Sequence, residues 1–235
     1  MTTLQKDNKF IINLYNIRNN VLRMLNDRGY HSFVKKYYAD ITFDEFKKLY
    51  RNNNINLEVY KEDIVDGIKV KTQCIIYFVD PTSQVGKVKQ RFTRLMNTLE
   101  ETYSKDDNIV DIIMIAEDKD RNSFMNSIAK YIKSYQKIYN STKTVNHTLK
   151  MELFYYSEIS FNITDHYLVP RHRLITKKEI TQILKDKKCT LEQLPKISKD
   201  DSVAKYFGAN VGDVFRISRR SPTSGISEYY RLVIP

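Results

Sequence analysis

Residues 191–235 read LEQLPKISKDDSVAKYFGANVGDVFRISRRSPTSGISEYYRLVIP. Pro195 precludes a helix that continues past LEQL, because its ring removes a backbone donor and clashes with the preceding turn. DSVAKYFG predicts a short helix closed by Gly208, and VGD predicts a tight turn ahead of the strand VFRISR. SPTSG then turns the chain into a last strand, SEYYRLVI. Just upstream, TKKEITQILKDKK predicts a helix with its own capping box, Thr176 with Glu179, and a hydrophobic staple of Ile175 with Ile180. The stretch is dense in turn chemistry and carries no catalytic constellation. From about Phe161 onward the chain therefore reads as a small, self-contained α+β module.

The residues before it have a different texture. Phe10, Ile11, Leu14, Ile17, Val21, Leu22 and Leu25 recur at three- and four-residue steps, which predicts a helix over 10–28 stopped by Gly29. ITFDEF predicts a second, short helix ending near Leu49–Tyr50, with a Thr42–Glu45 capping box and an Ile41–Phe46 staple. NLEVYK and TQCIIYFVD follow as strands. VGKVKQRFTRLMNTLEETY is a helix with a stripe of Val88, Phe92, Leu95, Met96 and Leu99. NIVDIIMIAED is a buried strand, RNSFMNSIAKYIKSYQKIY a helix carrying Phe124, Ile128, Ile132 and Tyr135 on one side, and TLKMELFYYSEI a strand. Strands separated by single helices favour a sheet with parallel members and helices packed on it. The expected division is 1–157 and 162–235, with no Gly/Ser linker and no internal repeat.

Composition limits the function classes. The 235 residues are 41% apolar and 29% charged, an ordinary globular balance with material for a real core. No apolar run approaches the ~20 residues that cross a bilayer, and the first residues lack a signal-peptide plan, so an intracellular protein is expected. Two cysteines, Cys74 and Cys189, imply no disulfide framework. The formal charge is +11, with residues 160–235 carrying 14 Lys/Arg against 8 Asp/Glu, so the C-terminal third is the more densely basic. That permits contact with a phosphate backbone without requiring it.

Chemistry is hard to find. His31, His147, His166 and His172 are scattered and neither Cys lies in a Cys-x-x-Cys pair, so no metal site and no cofactor are expected. DPTSQVGKVKQ lacks the Walker spacing, and neither G-x-G-x-x-G nor G-x-S-x-G occurs; Ser224–Gly225 reads as a simple turn. A metal-dependent nuclease would draw on Asp80 at one strand end and Glu117, Asp118 and Lys119 at another. That chemistry sets its carboxylates on neighbouring strands of a hairpin, whereas here a whole helix intervenes. AEDKDRNSFMN places Lys119, Arg121, Asn122 and Ser123 in a loop opening a helix, where backbone N–H groups and a basic side chain suit phosphate oxygens. Lys87, Lys89, Arg91 and Arg94 form a second basic cluster, at the spacing of a solvated helix face.

The motifs NITDHYLVPRHRLITKKE, LEQLPKI, DSVAKYFGANVGDVFRISRRSPTSG and YYRLV resemble the assembly domain of the fifth subunit of eukaryotic nuclear RNA polymerases, a domain shared with the archaeal enzyme. The resemblance covers residues 162–234 almost without a gap. LYNIRNNVLRMLNDRGY, VGKVKQRF and DIIMIAED fall in the order of the eukaryotic jaw domain, which the archaeal form lacks. The resemblance implies an α/β jaw in a nuclease-like three-layer arrangement followed by a small α+β assembly domain. It implies a non-catalytic subunit of DNA-dependent RNA polymerase, part of a hetero-oligomer with no membrane partner. The assembly domain would dock on the largest subunit, beside neighbouring small subunits, and the jaw would lie near downstream double-stranded DNA. In that family a jaw loop with a Thr-Pro-Ser-Ala-like motif approaches DNA; the matching stretch here is DRNSF, with Ser123 in correspondence and Arg121 available to attract phosphate. Residues matching the assembly motif are Pro170, His172, Pro195, Gly208, Gly212, Arg219, Ser221, Gly225, Tyr230 and Arg231, with Arg220 beside them. Of these, Pro170, His172, Arg219, Arg220, Ser221, Tyr230 and Arg231 are the expected docking residues. A cellular host implies the nucleus; a large DNA virus, which the AT-rich coding bias also fits, implies a viral factory or virion. The alternative is a stand-alone nuclease-like DNA-binding enzyme.

Overall fold

The computed structural model describes residues 3–30, 32–33, 41–52, 54–65, 68–79, 89–90, 93–94, 97, 109–118, 127, 129–134, 137, 149–221 and 225–235. Its chain divides into two compact units, Met1–Ser160 and Phe161–Pro235.

The first unit opens with helix α1, Thr3–Asp27, which starts seven residues before the expected helix. Ile11, Leu14, Ile17, Val21, Met24 and Leu25 form its buried stripe; Phe10 and Leu22, expected there, are only half-buried. Gly29 ends it at φ +86°, a left-handed conformation that costs residues with a Cβ free energy. The Tyr30 N–H then reaches back to the Leu25 carbonyl at 2.9 Å. Helix α2, Phe43–Arg51, carries the expected capping box: Thr42 Oγ1 accepts from the Glu45 N–H, and the Glu45 carboxylate accepts from the Thr42 N–H at 2.7 Å. Tyr15 of α1 donates to the Ile41 carbonyl at 2.9 Å and packs against Phe46, joining the two helices.

Five strands form one sheet in the order β1-β2-β3-β4-β5: β1 Ser32–Phe33, β2 Leu57–Val65, β3 Ile68–Phe78, β4 Ile109–Ala116 and β5 Leu149–Tyr155. β2 and β3 are an antiparallel hairpin, whereas β3, β4 and β5 run parallel, the arrangement that alternating strands and helices favour. Residues are helical wherever they are described within 89–97 and 127–137. Thr93 and Tyr131 share a 2.8 Å hydrogen bond between those two segments. Both crossovers advance the same way along the sheet, so right-handed connections place both on one face. Cys74, Ile76 and Ile113 on one face of the strands and Ile75, Ile112 and Met114 on the other are all buried. The stripes Val88, Phe92, Leu95, Met96, Leu99 and Phe124, Ile128, Tyr135 lie outside the described residues; Ile132 is buried.

One expectation fails here. TLKMELFYYSEI is not strand throughout, because Tyr156–Ile159 turn into a short helix, α3. Glu158 accepts from the Tyr155 N–H at 2.7 Å, and the buried side chains of Tyr156 and Ile159 lie three residues apart, a helical rather than an alternating spacing.

The second unit is α+β. Its strands are β6 Arg171–Leu174, β7 Lys196–Ser198, β8 Val214–Ser221 and β9 Gly225–Ile234, in the order β6-β8-β9-β7. β8 and β9 form a hairpin, β6 pairs antiparallel with β8, and β7 pairs parallel with β9. Helix α4, Lys177–Lys187, has the expected Thr176–Glu179 box, and helix α5, Ser202–Tyr206, is capped by Asp201. Each packs on one sheet face: Ile180, Ile183 and Leu184 against Ile175, Val214 and Leu232, and Ala204 with Phe207 against Ile197, Phe215, Ile217 and Val233. β6 and β7 are not legible in the sequence, being four and three residues long and interrupted by charge.

Candidate docking groove

The second unit holds a groove of about 710 Å³. Its floor is Ile217 with Tyr229 and Arg231, which share one sheet face because β9 residues two apart point the same way. One wall is the run Leu168–Pro170. His166 shapes that run, since its Nδ1 accepts from the Leu168 N–H at 3.2 Å and its carbonyl from the Val169 N–H at 2.9 Å. Leu168 is thereby left 69% exposed at the rim. Leu194, Pro195 and Lys187 line the opposite side.

Five of the seven expected docking residues, Pro170, His172, Arg219, Tyr230 and Arg231, line this groove. They come from three separate places in the chain and meet through the β6-β8-β9 register, in which His172 opposes Ile217 and Ile217 opposes Tyr229. Arg220 and Ser221 are not in the lining; they sit at the hairpin end, opposite Ile226 and Gly225. Sequence reasoning missed Leu168, Lys187 and Tyr229. Tyr229 was detectable, since two consecutive tyrosines in one strand cannot both face the same core.

The groove's charges are unequally free. The Glu228 carboxylate is held by the Arg216 guanidinium and accepts from the Tyr230 hydroxyl at 3.1 Å. Asp201 accepts from the Val203 N–H at 2.9 Å as the cap of α5. Lys187 lies over the Tyr230 ring at 5.4 Å. Burial, with Arg231 nearby, holds the His172 imidazole below its ordinary value against the opposing pull of Asp201 and the Pro170 carbonyl, 2.7 Å from Nδ1. His172 also packs edge-on to Phe215. The surface is thus a cationic, aromatic groove over a satisfied framework, and its groups suit recognition rather than bond-making.

In the first unit the buried polar groups are structural. The Tyr30 hydroxyl donates to Asp111 at 2.7 Å, and burial pushes the Asp111 carboxyl up. Arg28 meets Glu152 at 2.7 Å and Lys150 meets it at 3.0 Å; burial pushes that carboxyl up, but the two cations hold it below its ordinary value. Burial also raises the thiol of Cys74, opposite Asp111 in the register, which leaves it inert. These contacts tie the end of α1 to β4 and β5. Asp118, offered as a nuclease carboxylate, instead accepts from the N–H and hydroxyl of Ser157 at 2.8 and 2.5 Å. Among the described residues no His, Cys, Asp and Glu cluster could hold a metal ion, and no helix is long and apolar enough to cross a membrane. Asp80, the second basic cluster's Lys87 and Arg91, and all four DNA-proximal candidates, Lys119, Arg121, Asn122 and Ser123, lie outside the described residues. So do His31, His147 and Ser224.

Comparison with known proteins bears on both units. Residues 161–233 match the family described as RNA polymerase Rpb5, C-terminal domain. DNA-directed RNA polymerase subunit Rpo5 of Methanocaldococcus jannaschii is 51% identical over 72 residues, which is 31% of this chain and 92% of that protein. DNA-directed RNA polymerases I, II, and III subunit rpabc1 of Dictyostelium discoideum is 30% identical over 221 residues, 94% of this chain and 97% of its own length. Its counterpart from Caenorhabditis briggsae is 29% identical over 224 residues, covering 94% of this chain and 95% of that protein.

Proposed function

Because the chain belongs to the Rpb5 family, the fifth subunit of DNA-directed RNA polymerases, we propose that its second unit docks on the largest polymerase subunit through the groove over β9, while its first unit is the jaw beside downstream duplex DNA. The chain is a non-catalytic subunit of an enzyme complex. The stand-alone nuclease is set aside, since the relatives spanning nearly the whole chain are polymerase subunits.

The observation that carries the docking half is the convergence of Pro170, His172, Arg219, Tyr230 and Arg231 on one groove. Fully desolvated Arg and Tyr anchors supply most of the energy of protein interfaces. Neighbouring small subunits would contact the rest of this unit. For the jaw, the supporting features are the parallel β3-β4-β5 sheet, buried on both faces, and the basic residues Lys119 and Arg121 beyond β4. This is the nuclease-like three-layer plan put to positioning rather than chemistry, with phosphate attraction as its contribution. The reading places the protein in the nucleus with a cellular polymerase, and in a viral factory or virion with a viral one.

Purification of the polymerase through a tag on its largest subunit tests the reading. Arg219→Glu with Arg231→Glu is expected to lower the amount of this chain recovered by about tenfold or more, as reversing desolvated interface charges does. Arg121→Glu is expected to leave recovery unchanged and to weaken retention on downstream duplex DNA, most visibly at low salt, where phosphate attraction is least screened. Full recovery of the double variant would overturn the docking assignment, and loss of the chain in Arg121→Glu would overturn the jaw assignment.

A further inference from the structure

The groove touches Glu228, Tyr229, Tyr230 and Arg231 in succession. Consecutive strand residues point to opposite faces, so a groove confined to one face would meet only every second one. This groove therefore turns over the edge of β9. The register shows why an edge is available there: β7 covers β9 only from Leu232 to Ile234, leaving Ile226–Arg231 without a strand on that side among the described residues.

Hydrogen bonding gives the edge a direction. Val233 donates to the Asp213 carbonyl at 2.8 Å and accepts from the Gly212 N–H at 2.9 Å, so its backbone faces β8. By alternation Arg231, Tyr229 and Ser227 also face β8, while Tyr230, Glu228 and Ile226 aim their N–H and C=O groups outward. Leu232, on the outward side, donates to the Pro195 carbonyl at 2.8 Å. The next bond of that parallel ladder would run from residue 195 to the Tyr230 carbonyl, and Pro195 has no N–H to give. Pro195 thus halts β7 and leaves the outward groups of β9 presented to the groove.

We propose that an extended segment of the polymerase partner pairs with β9 along Ile226–Tyr230 and adds a strand to this sheet where β7 stops. The proposal rests on the docking reading above and specifies its form. The occupant is apolar and acidic. Leu168 and Tyr229 line the groove at 69% and 52% exposure, and Ile226, at 70%, begins the open edge. Of the groove's charges, Glu228 and Asp201 are engaged within the fold, whereas among the described residues neither Arg219 nor Arg231 has a carboxylate partner. Alternate side chains of the added strand meet Ile217, Tyr229 and Arg231 on one face and Lys187 with Tyr230 on the other. Main-chain pairing supplies affinity and the alternating contacts supply selectivity.

Amide hydrogen exchange on the full chain, free and within the purified polymerase, reads this directly. Glu228 and Tyr230 amides are expected to gain about tenfold or more protection on assembly, whereas Tyr229 and Arg231, already in the β8 ladder, change far less. A second arm compares Glu228→Pro with Glu228→Ala. Proline at an outward edge position removes a donor without breaking the β8 ladder, so Glu228→Pro should reduce recovery of the chain with the polymerase about tenfold beyond Glu228→Ala. Uniform protection of all four amides, or unchanged exchange at Glu228 and Tyr230 in a complex that still loses the chain in the Arg219→Glu, Arg231→Glu variant, overturns strand addition while leaving docking intact. Full recovery of that charge variant overturns the docking reading itself. Should Glu228→Pro not fold, the wild-type exchange pattern decides alone.

Discussion

The Glu179 carboxylate gathers hydrogen bonds from two partners. It accepts from the Arg173 guanidinium and from the N–H and hydroxyl of Thr176, and with them its pKa falls from an ordinary 4.5 to about 2. A depressed carboxyl binds fewer protons folded than unfolded, so its stabilisation is present above about 4.5 and lost as pH falls toward about 2. Glu179→Gln is expected to flatten the acid side of the stability profile, measured as urea midpoints across that window. Asp111 has the opposite sign. Burial raises its folded pKa, so the stability it contributes is present at low pH and lost as pH rises through that value. Asp111→Asn should remove this slope while keeping a partner for Tyr30. The Arg28–Glu152 pair is nearly buried, with side chains 8% and 15% exposed, and Glu152→Ala should cost about 3 kcal/mol in urea unfolding because it removes the carboxylate from a nearly buried ion pair. None of these partnerships between distant residues could be read locally, whereas the Thr176–Glu179 box could, because its spacing is its geometry.

Among the elements, legibility follows length and punctuation. α2 and α4 announce themselves through Ser/Thr-x-x-Glu boxes, and α5 through its glycine terminator. β6 and β7 do not, because a three- or four-residue strand has no period to detect and exists only through its neighbour's backbone. α3 was hidden by the alternating run that precedes it. Two backbone positions in the second unit give opposed predictions. Lys188 ends α4 at φ +50°, a left-handed conformation in which a side chain is strained, so Lys188→Gly should stabilise the unit by about 1 kcal/mol. Gly212, at φ +95° in the turn before β8, has open space around it, so Gly212→Ala should cost about 1–2 kcal/mol through backbone strain alone. Thermal unfolding of both variants checks the signs.

At the scale of the whole chain, the second unit has its own sheet with an apolar cluster on each face. The Rpo5 relative is matched over 92% of its length by 72 residues of this chain, a span the size of this unit. A fragment of residues 161–235 is therefore expected to unfold in a single cooperative transition, by circular dichroism in urea. Phe215, fully buried between β6 and β9, is the place to test that core: Phe215→Ala should cost about 3–5 kcal/mol. A broad, non-cooperative melt of the unmutated fragment would show that the unit depends on the rest of the chain.

Residues 191–235 specify their own turns and the β8–β9 hairpin, because prolines, glycines and caps act within a few residues of themselves, whereas β7 within them needs β9 beside it. The same local rules disclose the two-part organisation, the helices α1, α2, α4 and α5 and the family resemblance, since each is written in near-neighbour spacing. The docking surface is of another kind. Pro170, Arg219 and Arg231 become neighbours only when β8 pairs with both β6 and β9, and Pro195 matters to Tyr230 only when β7 lies beside β9. Register between strands is set by the fit of two packed faces, which no single segment contains. Tertiary pairing, rather than residue type, therefore turns a stretch without catalytic groups into a groove with an open edge.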